Sequence, residues 1–170
     1  LCNACHKSLA LHGTIRQNTE YCVLCHNPMG TDEAQRPKEV MPPTSINFRV
    51  LVHRIHRGEE ATEPLQVYGF GGQRIDFSGV VFPGNLAACE TCHLPGTYDL
   101  PLPRAVQSTI VTQAGKTVST LLPTRSVCTA CHDSTAAAGH AELQTTASSV
   151  ETCEVCHGPG REFDVTAVHQ

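Results

Sequence analysis

The sequence contains no tryptophan, only three tyrosines and five phenylalanines, which is little apolar bulk for 170 residues. Eleven prolines and thirteen glycines interrupt what remains, so the side chains alone promise a modest core. No stretch is long and apolar enough to span a bilayer. No low-complexity tract or composition shift marks a domain boundary, and residues 1–170 read as one domain. Basic residues are not in excess: 12 Lys and Arg stand against 16 Asp and Glu, for a formal charge of −4. That balance speaks against a nucleic-acid partner. The chain opens on Leu1-Cys2, already inside a motif and with no signal peptide, so a mature or excised part of a longer exported protein is expected.

No cysteine is left for a structural disulfide or a lone reactive thiol. All ten fall in five C-x-x-C-H cassettes: Cys2-Cys5-His6, Cys22-Cys25-His26, Cys89-Cys92-His93, Cys128-Cys131-His132 and Cys153-Cys156-His157. This spacing is that of covalent c-type haem attachment. Two thiols three residues apart on one turn can each form a thioether to a vinyl group of one porphyrin. The histidine that follows then meets one face of the iron. Zinc fingers instead separate the Cys pair from the first His by about 12 residues, and iron–sulfur clusters take four thiolates in characteristic runs. Neither pattern occurs. Five haems, about one per 34 residues, would replace the missing apolar core. The fold expected is a multihaem cytochrome c, mostly irregular, with short α-helices and one or two small β-hairpins around packed haems. The ionised propionates would make the particle more acidic still.

The cassettes begin at residues 2, 22, 89, 128 and 153, and their unequal gaps exclude a solenoid of identical repeats. Residues 27–45, rich in Pro and turn formers, read as a loop. Phe48, Leu51, Val52 and Ile55 follow the i, i+3, i+4, i+7 pattern of an amphipathic helix, with Thr44 or Ser45 as cap and Gly58 as terminator. Residues 64–84 suggest short extended pieces turning at glycines. Val106–Thr112 and Lys116–Leu121 suggest a hairpin turning at Ala114-Gly115. Ser134–Leu143 reads as a helix interrupted at Gly139.

Ten histidines are present, and five lie outside the cassettes: His12, His53, His56, His140 and His169. Taken singly, each would be a surface or core residue. Together they equal the number of cassettes, the count that bis-histidine ligation requires. Spacing does not say which histidine serves which iron. His12 lies only six residues beyond His6, so a chain reaching around the same porphyrin is disfavoured, and His12 is expected to reach a different haem. His53 and His56 are about 60° apart in azimuth and about 4.5 Å apart in rise on a helix. They cannot bind one iron from opposite faces, so they are expected to serve two neighbouring haems. Met29 and Met41 read as loop residues. Arg49, Arg54 and Arg57 could pair with propionates or form a solvated basic face.

The runs C-N-A-C-H-K-S-L-A-L-H-G, V-H-R-I-H-R-G-E-E and F-P-G-N-L-A-A-C-E-T-C-H-L-P-G-T-Y resemble one pentahaem module of the decahaem outer-surface cytochromes of the OmcA/MtrC type. The resemblance covers essentially the whole chain. It implies closely packed bis-histidine haems, a cell-surface or outer-membrane location, and electron transfer to extracellular acceptors such as metal oxides and soluble shuttles. It also implies other multihaem cytochromes as redox partners, with the periplasm as second choice of compartment. That family alternates pentahaem modules with β-barrel domains, for which this chain has no room. Two other functions compete with a relay. A nitrite- or hydroxylamine-type multihaem reductase needs an open iron, whereas all five cassettes end in His and the remaining histidines can close every site. A gas sensor would need only one haem. An electron carrier is therefore favoured over a catalyst. Intact mass decides the haem question first: every molecule is expected above the 18.3 kDa of polypeptide by five haem increments, and a dominant species at the bare mass would refute the reading.

Overall fold

The computed structural model describes residues 2–146 and 148–169. Its regular elements are short. Helix α1 spans Asn3–His6, α2 Cys22–Cys25, α3 Phe48–Arg57, α4 Pro123–Cys128, α5 Thr135–Leu143, α6 Glu154–His157 and α7 Val165–Val168. Several 3-10 turns and two antiparallel hairpins accompany them: β1 Gln66–Tyr68 with β2 Arg74–Asp76, and β3 Thr109–Gln113 with β4 Lys116–Leu121. The sheets are separate. Short helices and small hairpins are what the cassette-rich sequence led one to expect. Among the described residues, no helix is long and apolar enough to cross a membrane.

Helix α3 is the central post. None of its ten residues is exposed, although only Val50 is fully buried. It starts three residues after Ser45, because the expected caps are committed elsewhere. Thr44 N donates to Asp32 Oδ1 at 2.8 Å, and Ser45 Oγ accepts from Asn47 N at 3.2 Å. Asn47, at the N-cap position, does not cap with its side chain. Its buried amide donates instead to Thr109 Oγ1 at 2.7 Å, and Thr109 passes the chain on to Ser126 Oγ at 3.0 Å. One polar thread thus ties the start of α3 to β3 and α4. At the other end Gly58 has φ +40°, and a Cβ there would lie 2.0 Å from the Val80 carbonyl oxygen. Only glycine fits that close crossing.

The second hairpin turns at Ala114 and Gly115, with φ of +50° and +74°, the backbone that a tight two-residue hairpin turn demands. Its strands begin at Thr109 rather than Val106, and a bulge falls between Val111 and Thr112. Helix α5 corrects another expectation, for it runs through Gly139 without a break. The Ser134 side chain accepts from Ala137 N and starts it. A lone glycine only weakens a helix, by roughly 1 kcal/mol relative to alanine.

The apolar core is small: Val50, Leu65, Val67, Leu100 and Ala130. More large apolar side chains are exposed than buried. Polar knots supply part of the cohesion. Asp32 and Arg36 form an ion pair at 2.8 Å with 2% and 8% of their side-chain surfaces exposed. The Asp32 carboxylate also accepts from the backbone N–H of Thr44 and of Tyr68. Arg36 donates to the carbonyls of Val40 and Gln66 and lies 4.8 Å from the Tyr68 ring centre. Loop 31–44 is thereby fastened to β1. Removing one member of a buried, hydrogen-bonded pair strands the other charge. Asp32→Ala is therefore expected to cost about 3–5 kcal/mol in chemical denaturation of the intact protein. A loss below about 1 kcal/mol would show that the pair is dispensable.

Candidate functional site

All five cassettes adopt the same backbone turn, although they sit on different elements. The histidine N–H donates to the carbonyl of the first cysteine at 3.0 Å in His6, 2.8 Å in His26, 2.9 Å in His93, 2.8 Å in His132 and 2.9 Å in His157. One helical turn places residues three apart on one face, so both thiols of each cassette are presented together beside the imidazole. Among the described residues the cysteines form no disulfide. Burial pushes the thiols of Cys89, Cys92, Cys131 and Cys153 up. Cys128 keeps solvent-exposed surface, yet its thiol sits in a crowded recess; burial there, then Cys153 and Glu151, push it up to about 11. A thioredoxin-type pair needs the opposite direction.

The structure brings every cassette histidine against one non-cassette histidine. Ring centres lie 5.9 Å apart for His6–His56, 6.0 Å for His12–His26, 5.9 Å for His53–His93, 5.9 Å for His132–His169 and 6.1 Å for His140–His157. All ten histidines are used once. His12 faces His26 of the second cassette, not His6. His53 and His56, one turn apart on α3, face two different cassettes. The separation is too wide for rings in face contact. It matches two metal–imidazole bonds of about 2 Å plus about 1 Å from each nitrogen to its ring centre. The residues present therefore fit a six-coordinate iron whose other four ligands come from a porphyrin. Among the described residues, no three His, Cys, Asp or Glu side chains converge as a metal cage would require.

Hydrogen bonds fix how one ring of each pair is aimed. Nδ1 of His26 lies 2.9 Å from the Ile46 carbonyl, that of His56 2.9 Å from Val52 and that of His53 2.5 Å from Arg49. Nδ1 of His157 lies 3.1 Å from the Phe163 carbonyl, and that of His169 3.0 Å from Val165. A carbonyl can only accept, so in each of these bonds the ring donates from Nδ1 and Nε2 is the nitrogen left to face the partner ring. Such outer bonds orient metal-binding imidazoles and raise their basicity. Burial, then the neighbouring His93 and His56, hold the His53 imidazolium below its ordinary range, against the opposing Arg49 carbonyl. Burial and His169 do the same for His132. Both shifts favour the neutral, ligating form.

The α3 arginines have protein partners. Arg49 donates to the Gln107 carbonyl and Arg54 to that of Glu63 at 3.0 Å. Arg57 pairs with Glu60 at 3.0 Å. Met29 is exposed in its loop. Sequence reasoning missed the aromatic rings beside the pairs: Phe82 against His56, Tyr98 against His93 and Phe163 against His157. It also missed the Ile46 and Phe163 carbonyls, which no side-chain pattern encodes. The bonds to Arg49, Val52 and Val165 were open to inference, because each is the i−4 carbonyl of a histidine on a helix or just past its end.

Cassette adjacency is visible too. Cys92 lies within electrostatic reach of Cys2 and Cys5, Cys131 of Cys89, and Cys128 of Cys153. The third cassette thus neighbours the first and the fourth, and the fourth neighbours the fifth. The second joins the first through the short link from His6 to His12.

A family model described as outer membrane cytochrome MtrC/MtrF-like, domains II/IV, matches residues 1–170. No curated protein matches the chain. Among solved structures, the crystal structure of the outer membrane decaheme cytochrome OmcA is similar, with a TM-score of 0.55 and 26% sequence identity. The match covers 94% of this chain and 21% of that one, so the chain spans about a fifth of the solved protein.

Proposed function

The chain belongs to the MtrC/MtrF-like outer membrane cytochromes, domains II/IV, and from that premise we propose that it is a pentahaem module of an electron relay. The observation that carries this reading is the set of five histidine pairs, each joining one cassette ring to one ring from elsewhere at 5.9–6.1 Å. Bound c-type haem supplies a reversible one-electron iron couple. The residues do the rest. Cys2 and Cys5, Cys22 and Cys25, Cys89 and Cys92, Cys128 and Cys131, and Cys153 and Cys156 would anchor one porphyrin each through thioethers. His6, His26, His93, His132 and His157 would bind the irons from the cassette side. Opposite them, in the same order, would stand His56, His12, His53, His169 and His140. Exposed apolar side chains next to the cassettes, such as Leu24, Leu94, Val155 and Phe163, would cover porphyrin faces and complete the core.

Cassette adjacency supports a continuous order of sites, second to first to third to fourth to fifth. Two imidazoles per iron, with no Met ligand, favour low potentials. Residues 1–170 would form one module of a longer exported protein, at the outer membrane or cell surface. Its partners would be other multihaem cytochromes and extracellular acceptors such as metal oxides or soluble shuttles. A reductase would need an iron with a free position, and the pairing of all ten histidines supports none.

The test is spectroscopic. The reduced holoprotein is expected to show five low-spin haems and no carbon monoxide binding, and a high-spin, carbon-monoxide-binding fraction of about one in five would favour the reductase. His53→Ala and His56→Ala are each expected to create one high-spin haem, in different sites. If either variant stays wholly low-spin, that histidine is not a ligand.

A further inference from the structure

The five pairs differ in one respect. The facing imidazole planes meet at 8° in His53–His93 and 27° in His12–His26, but at 67°, 72° and 82° in His6–His56, His132–His169 and His140–His157. No pair falls between 27° and 67°, so the angles form two groups. One ring of every pair is held through Nδ1 to a backbone carbonyl. The facing ring needs its own restraint. For His93 that restraint is Tyr98, whose ring lies 5.9 Å away at 62°. Tyr98 is itself held: its hydroxyl reaches Glu90 Oε1 at 3.4 Å, on the turn of the same cassette. The intervening turn is closed by Thr97, whose N–H and hydroxyl both donate to the Leu94 carbonyl.

We propose that the fold sorts the five sites into two electronic classes by fixing the angle between facing imidazole planes, with Tyr98 as the positioning residue of the most nearly parallel pair. The inference rests on bis-histidine ligation as proposed above. An imidazole donates π density into the iron d orbital perpendicular to its own plane. Parallel rings raise the same orbital and split it from its partner. Crossed rings raise both equally and leave them nearly degenerate. Ligand orientation is thus a lever on the iron that leaves ligand identity untouched. In the ferric low-spin state the split case gives a rhombic electron paramagnetic resonance spectrum. The near-degenerate case gives a highly anisotropic, axial one.

The experiment uses the oxidised, fully loaded protein, with haem counted independently as the pyridine haemochrome. Five low-spin irons are expected, two rhombic and three highly axial, following the two near-parallel and three crossed pairs. Tyr98→Ala should move one rhombic signal toward the axial class while the low-spin count stays the same. Tyr98→Phe, which keeps the ring and loses only the hydroxyl's bond to Glu90, should stay closer to the parent spectrum than Tyr98→Ala does. His53→Ala should delete one rhombic signal and spare all three axial ones. Five low-spin irons of a single class would overturn the inference and leave the relay standing, as would loss of an axial signal in His53→Ala. An unchanged Tyr98→Ala spectrum would overturn the role of Tyr98. High-spin iron in the parent protein would instead overturn the ligation, and with it this inference at that site.

Discussion

Two imidazoles held one turn apart on a helix dictate where two other imidazoles must lie. Helix α3 carries His53 and His56 with both Nδ1 atoms bonded to i−4 carbonyls, so the two rings point outward along nearly the same direction. His93 and His6 must come to them. Their cassettes begin at residues 89 and 2, on opposite flanks of the helix in sequence. One rigid element therefore joins two segments that lie far apart in sequence. The pinning of α3 follows from this demand. Phe48 N donates to the His26 carbonyl at 2.9 Å, the Asn47 amide grips Thr109, and Gly58 crosses beneath Val80.

Polar ties do what a larger apolar core would do in an ordinary domain. The Asp32–Arg36 pair and the Asn47–Thr109–Ser126 thread are buried and largely satisfied. Such groups add less net stability than their number suggests, because each was well hydrated in the unfolded chain. Their virtue is register. A buried carboxylate that accepts from Arg36, Thr44 and Tyr68 tolerates one arrangement of loop and strand and penalises the rest. That suits a chain whose histidines must meet at a set distance.

Composition and spacing carried most of the site. The ten cysteines, the five cassette histidines and the five others were legible as a count, and the i, i+3 spacing of His53 and His56 implied two targets. Which rings meet was not legible, because the pairing spans up to 50 residues, as in His6–His56, and depends on tertiary paths through irregular chain. The fold was legible where a period existed, as in α3 and the Ala114-Gly115 hairpin. It was misread where a local signal competed with tertiary context. Thr44 had the chemistry of a helix cap but is held by Asp32 and Arg36, and Gly139 had the look of a break but costs the helix too little to stop it.

The α3 arginines show the same competition among ligands. A guanidinium on a helix beside two histidines that face cassette rings invites a role with haem carboxylates. Arg49 and Arg54 also donate to backbone carbonyls and Arg57 pairs with Glu60, while the Nε atoms of Arg49 and Arg57 are buried without a partner among the described residues. Burial lowers both Arg49 and Arg54 from their ordinary values, with Glu151 opposing at Arg49 and Asp133 and Glu63 at Arg54. At His132 the Arg57 charge adds to burial and to His169 in holding the imidazolium below its ordinary range. Arg49 and Arg54 thus help to pin α3 to neighbouring chain, while Arg57 reaches one pair through its charge.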